Sequence, residues 1–207
     1  MVMTHKIFIL VLFAILSISF QSSWATSISI STGKQVYEYG DFLSVNLQVS
    51  EITGDSIVLH IIDSSGQSSS PIPIQISKLN STIIAPGAFY ITNYPPGKYQ
   101  IIGEYSGVKS STSFELIDSG KIAIPPQYKV LVKSWLQGTP TQKDYAGLIR
   151  DLINFNIIKV SDYHAQKTIY VPHWLLVNAK LWSYDLISDN EFGSALQYLA
   201  QKGIISV

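Results

Sequence analysis

The chain has no cysteine, which removes two classes of protein at once: disulfide-stapled frameworks of the kind common in small exported domains, and sites where thiolates hold a metal. Burial must hold the fold unaided. Charge is scarce too, at 14% Asp, Glu, Lys and Arg against roughly a quarter in ordinary globular chains. The 14 basic and 14 acidic side chains cancel. No field exists to gather phosphates, and nucleic acid is not an expected partner. There is no Gly-rich phosphate loop and no G-x-S-x-G elbow, so nucleotide chemistry and serine hydrolysis lack support. What is plentiful is Ser, Thr, Tyr and Ile, the composition of an extracellular β-rich protein. A chain of 207 residues makes one ordinary domain or two small ones, and small cores are marginal. Two domains that lean on each other are expected.

Residues 1–25 read as an export signal. Lys6 forms a short basic region, an apolar stretch follows from Ile7 to Phe20, and a polar exit ends Ser23-Trp24-Ala25. The stretch is about 14 residues, short of the roughly 20 that a spanning helix needs. Cleavage would leave Thr26 first, and a retained leader would make a membrane anchor instead. In both cases the rest of the chain is expected outside the cytoplasm, extracellular or at the cell surface.

Residues 26–118 carry β patterning. Leu43, Val45, Leu47 and Val49 alternate with Ser44, Asn46 and Gln48, the period of a half-buried strand, behind a turn at Tyr39-Gly40-Asp41. Further strands are expected at 27–31, 56–62, 72–77, 88–92, 98–105 and 110–117, with turn residues between them. Seven short strands indicate an antiparallel β-sandwich. In Pro96-Gly97-Lys98-Tyr99-Gln100-Ile101, a Gly stands two before a Tyr and an apolar residue two after it. This is similar to the tyrosine corner of immunoglobulin-like domains, and it gives Tyr99 a structural role: ring in the core, hydroxyl on upstream backbone. Asn80-Ser81-Thr82 is an N-glycosylation sequon, placed between strands by this reading.

Residues 124–160 align without a gap to residues 171–207, at a constant offset of 47. Pro125/Pro172, Val130/Val177, Trp135/Trp182, Leu152/Leu199, Ile158/Ile205 and Val160/Val207 are identical pairs. Each copy predicts helix, turn, helix and an extended tail. Tyr145, Leu148, Ile149, Leu152 and Ile153 make one apolar helical stripe, and Phe192, Ala195, Leu196, Leu199 and Ala200 repeat it. Ser188-x-x-Glu191 and Thr141-x-x-Asp144 are N-terminal capping pairs. Asn156 and Gly203 stand at equivalent helix ends and suit the left-handed conformation. The fold class expected is therefore α+β in segregated domains: an immunoglobulin-like antiparallel sandwich at 26–118, a linker at 119–123, and two tandem helix-turn-helix repeats at 124–160 and 171–207, joined by a linker at 161–170.

The motifs Val171-Pro172-His173-Trp174, Ala179-Lys180-Leu181-Trp182, Ile187-Ser188-Asp189-x-Glu191-Phe192 and Gly203-Ile204-Ile205 resemble a repeat of exported proteins from ammonia-oxidising archaea. That repeat reads I-P-x-W, then A-x-W-W, an acidic turn and a closing G-(I/V)-I. Copy one departs from it at Gln127, which stands for the first tryptophan. Ser134 and Leu181 replace the first member of the tryptophan pair. The β half is similar to the immunoglobulin-like domains of the same proteins. The resemblance implies location and architecture rather than a chemistry.

Candidate chemistry is thin. His60 falls in a strand, and His164 and His173 flank a loop near Asp162 without a helical i, i+4 ligand pair, so they read as solvated loop histidines. No catalytic, cofactor or metal residue is expected. Trp135 and Trp182 share a register and are expected to be buried alike, each between the helices of its own copy. Trp174 lacks a counterpart and is the expected contact residue. The function expected is a non-catalytic envelope or extracellular binding or structural module, with an unidentified envelope protein or glycan as partner, and membrane contact only through a retained leader. An exported hydrolase or enzyme accessory, and a copper or other metal carrier, stand as alternatives. The mature protein should start at Thr26. N-terminal sequencing of native material tests this, and recovery of Met1 would replace secretion by anchoring.

Overall fold

The computed structural model describes residues 26–138, 141–161 and 169–207. The leader, His164 and Asp162 lie outside the described residues. All strands precede all helices, so the chain is an α+β protein with its two kinds of structure segregated along the sequence.

Eight strands form two sheets. β1 (Ile28–Thr32), β3 (Phe42–Val49) and β6 (Asn80–Ala88) make an antiparallel sheet in the order β1-β3-β6. The other sheet runs β2-β8-β7-β4-β5, from β2 (Val36–Glu38), β8 (Val108–Ile117), β7 (Gly97–Tyr105), β4 (Ser56–Ile62) and β5 (Ile72–Gln75). The alternation in β3 places Leu43, Val45, Leu47 and Val49 inward, where they share one core with Ile57, Leu59, Ile101 and Leu116 of the second sheet. At one end that core is aromatic: Tyr99 stacks on Phe114 at 5.2 Å, and Tyr37 meets Phe114 edge-on at 5.2 Å.

Three expectations for this half are corrected. β2 was not anticipated, and it pairs parallel with β8, Val36 opposite Glu115, so the second sheet is mixed rather than antiparallel. The strand expected at 88–92 lies earlier, at Asn80–Ala88. Beyond Ala88 the backbone turns away: Phe89 exchanges hydrogen bonds with the Tyr39-Gly40-Asp41 turn, and the Asn93 and Tyr94 amides both donate to the Tyr90 carbonyl. Asn80 consequently opens a strand instead of sitting between strands.

Four helices follow: α1 (Pro126–Trp135), α2 (Gln142–Asn154), α3 (His173–Ser183) and α4 (Asp189–Gln201). The starts of α1 and α3, and of α2 and α4, differ by the same 47 positions as the sequence alignment. α2 and α4 both begin with a complete capping box, Thr141 with Asp144 and Ser188 with Glu191. A cap of this kind contributes about 1 kcal/mol. Both helices also end alike. Asn156 (φ 56°) and Gly203 (φ 65°) adopt left-handed backbone, and the following amides, Ile157 and Ile204, reach back to the Leu152 and Leu199 carbonyls at 2.9 Å. These are Schellman closures. The apolar stripes form a second core, with Tyr145, Ile149, Leu152, Phe192, Leu196 and Leu199 all buried.

Residues 119–123 do not behave as a free linker. Ala123 is buried in the core between the sheets and Ile122 in the helical core. The Ile122 amide donates to the Asn190 Oδ1 at 3.0 Å and the Ile124 amide to the Asp189 Oδ2 at 3.0 Å. Ile122 presses on α4 at Gly193, where an added Cβ would lie 2.5 Å from the Ile122 Cγ2. Copy one has Ala146 at the corresponding position. An ion pair between Asp118, just past β8, and Lys159, beyond α2, closes the same junction.

Gly203→Val should cost on the order of 1 kcal/mol or more, all of it conformational, because no atom lies within 4 Å of the position a Cβ would take. Asn156→Gly should be neutral or mildly stabilising. Urea unfolding checks both, and equal losses would mean the helix ends are misassigned.

Candidate functional site

The three tryptophans of the helical half have separate fates. Trp182 is 0% exposed, stacked on Phe192 at 4.6 Å. Its indole Nε1 donates to the Asp189 Oδ1 at 2.9 Å. Lys129 of α1 lies 5.6 Å over the Trp182 ring and pairs with Asp189 at 3.0 Å and Asp185 at 2.7 Å. Burial opposes the Lys129 charge, yet the hydrogen bonds it donates to Asp185 and Asp189 outweigh it and raise its pKa. The same contact lowers that of Asp185.

Trp135 is not the equivalent of Trp182 that its register implied. It is partly buried at the edge of the core and meets Tyr145 edge-on at 5.2 Å. One helix on, Gln142 stands in place of Asp189, so copy one lacks the carboxylate that accepts the Trp182 indole in copy two. Trp174 is 50% exposed near the start of α3. Val177, one turn later on the same stripe, is 53% exposed.

The remaining predicted residues are placed as follows. Tyr99 is buried in the aromatic end of the β core, and its hydroxyl donates to the Pro95 carbonyl at 2.7 Å. Burial, with the Asp63 charge behind it, pushes its phenol up to about 12. His60 in β4 has its Nδ1 3.4 Å from the Ser69 carbonyl. His173 is the first residue of α3. Among the described residues no three His, Asp or Glu side chains come together in a group that could hold a metal ion. No helix there is long and apolar enough to cross a membrane.

Two concavities are defined by described residues. The one at the junction, between Tyr39, Ile91, Asp118, Ile122, Lys159 and Gln197, has about 20 Å³, space for a water rather than a ligand. The other, of about 280 Å³, lies on the outer face of the three-stranded sheet among Ser29, Ser31, Asn46, Gln48, Asn80 and Thr82. Sequence reasoning missed it, although the polar residues alternating with Leu43, Val45, Leu47 and Val49 were its signal.

Comparison with protein-family models finds no match, and comparison with curated proteins finds none either. Among solved structures, the sulfur carrier protein SoxY from Chlorobium limicola f thiosulfatophilum is similar at 12% identity and a TM-score of 0.26, over 51% of this chain and 96% of that chain. A likeness of that size carries no argument about fold or function.

Truncating Trp182 to Ala should cost about 3–5 kcal/mol, as for a fully buried large side chain. Trp135→Ala should cost clearly less. Denaturant titration of both variants decides the point, and equal losses would restore the symmetric picture.

Proposed function

We propose that the chain is an exported, non-catalytic binding module of the cell envelope or extracellular space. In this reading the β half is an immunoglobulin-like sandwich that serves as a spacer and the helices are tandem helix-turn-helix repeats, the architecture of the exported archaeal proteins the sequence resembles, with the repeats as the contact element. Trp174 carries the proposal. Where Trp182 and Trp135 are spent on packing, Trp174 stands half-exposed beside the exposed Val177 and joins neither core among the described residues. An exposed indole next to an aliphatic side chain is the kind of anchor that binding surfaces concentrate on. The tyrosine-corner geometry of Tyr99 supports the immunoglobulin-like part, and the matched caps and Schellman closures support the repeat.

The partner is an envelope protein or a glycan. Trp174→Ala should melt like the parent, since the side chain is half in water, while losing retention on cell envelopes by at least about tenfold, the 1.4 kcal/mol end of what an anchor residue contributes. Cosedimentation of labelled protein with envelopes measures this. Retention unchanged in Trp174→Ala would remove the helical half as the contact element.

A further inference from the structure

We infer that Asn80 carries an N-linked neutral glycan, and that this glycan lies along the outer face of the β1-β3-β6 sheet toward Ile84 and Phe42. The inference rests on export as proposed above.

The face is built in rows. Register sets Ser29 opposite Gln48 and Gln48 opposite Asn80, then Ser31 opposite Asn46 and Asn46 opposite Thr82. Six outward side chains thus form two rows of three, about 4.8 Å apart across the strands and about 6.8 Å apart along them. None is charged. The outer face of the other sheet is ordinary by contrast: Lys98 stands opposite Glu115, and Lys109 pairs with Glu104 at 3.4 Å. Among the six, Thr82 Oγ1 donates to Asn46 Oδ1 at 2.8 Å. Ser29, Ser31, Gln48 and Asn80 make no side-chain hydrogen bond among the described residues. Hydroxyl and amide groups both donate and accept, as sugar hydroxyls do, and covering them with a glycan strips no ion of its water.

The next outward positions are apolar. Ile84, opposite Ser44, is 65% exposed, and Phe42 is 51% exposed. From the row of Asn80 to Phe42 is six residues along β3, about 20 Å, so the occupant is an oligosaccharide rather than one sugar. Its polar edges would meet the two rows, and its C–H faces would cover Ile84 and the Phe42 ring. The sequon makes this a glycan attached to the chain itself, at Asn80. Asn80 stands in the corner of the face, and Thr82, the sequon hydroxyl, stands on the same side in the adjoining row. The attachment is a non-redox transfer from a sugar activated at C1 as a phosphate ester. The Asn80 Nδ2–C1 bond forms as the C1–O bond breaks, the electron pair leaves with the phosphate, and the amide nitrogen releases one proton.

The test uses protein secreted from an N-glycosylating host, once with its own residues 1–25 and once with the host's leader in their place. Glycopeptide mass spectrometry should find Asn80 occupied in the parent and in Thr82→Ser, and bare in Asn80→Gln and Thr82→Ala. Hydroxyl-radical labelling of Phe42 should rise several-fold in Asn80→Gln, with labelling of Trp174 as the unchanged internal reference. Host-leader material with Asn80 bare would overturn the inference, and so would Phe42 labelling that ignores the glycan. Native-leader protein found in the cytosol and bare at Asn80, while the host-leader form is occupied there with Phe42 covered, would sink the export reading and the natural attachment with it, and would leave only the fit of the face to a glycan.

Discussion

The Asp189 carboxylate ties together the segment before α1, α1 itself and the end of α3, from its place in the first turn of α4. One oxygen accepts the Trp182 indole and pairs with Lys129, and the other accepts the Ile124 amide. A half-buried charge is tolerated when its lone pairs are used, and here every contact is a donor or a cation. Its place at the first position of a helix adds the favourable end of the helix dipole. Beside it, Asn190 takes the Ile122 amide, so two adjacent side chains dock the segment between the halves onto α4.

That constraint sorts the tryptophans by role. Trp182 is claimed by Asp189, Lys129 and Phe192 and belongs to the core. Trp135 meets Tyr145 edge-on and stays at the rim, and copy one has Gln142 at the position of Asp189. Trp174 belongs to neither core among the described residues. The division places packing on one side of α3 and the exposed Trp174 and Val177 on another, which is why the proposed contact surface falls there.

Much of the β half was legible because its strands are long enough to show a period. β3 announced its two faces in eight residues, and the polar face proved to be the cleft on the outer sheet. β2 was not legible. Three residues have no readable period, and its place is decided by Tyr37, whose buried ring packs on Phe89 and Phe114 and whose hydroxyl bonds the Ser44 backbone. Asn80 was recognisable as a sequon but not as a strand residue, since only pairing with Gln48 puts it on a sheet. The 119–123 segment looked like a linker for the same reason: its Ile122 and Ala123 have no local pattern, and their partners lie in two different cores.

What the sequence determined by itself was local: alternation in the strands, the amphipathic stripes, the capping boxes, the left-handed closures at Asn156 and Gly203, and the 47-residue offset that pairs them. Apart from the offset, which is read by comparing the chain with itself, each of these depends on contacts within a few residues, where the chain's own geometry decides. Tertiary structure alone decided the parallel pairing of β2, the insertion of Ile122 against Gly193, and the unequal burial of Trp135 and Trp182. Those depend on which distant group arrives: Trp182 receives Asp189, Lys129 and a stacked Phe192, while Trp135, in the same register, meets Tyr145 edge-on.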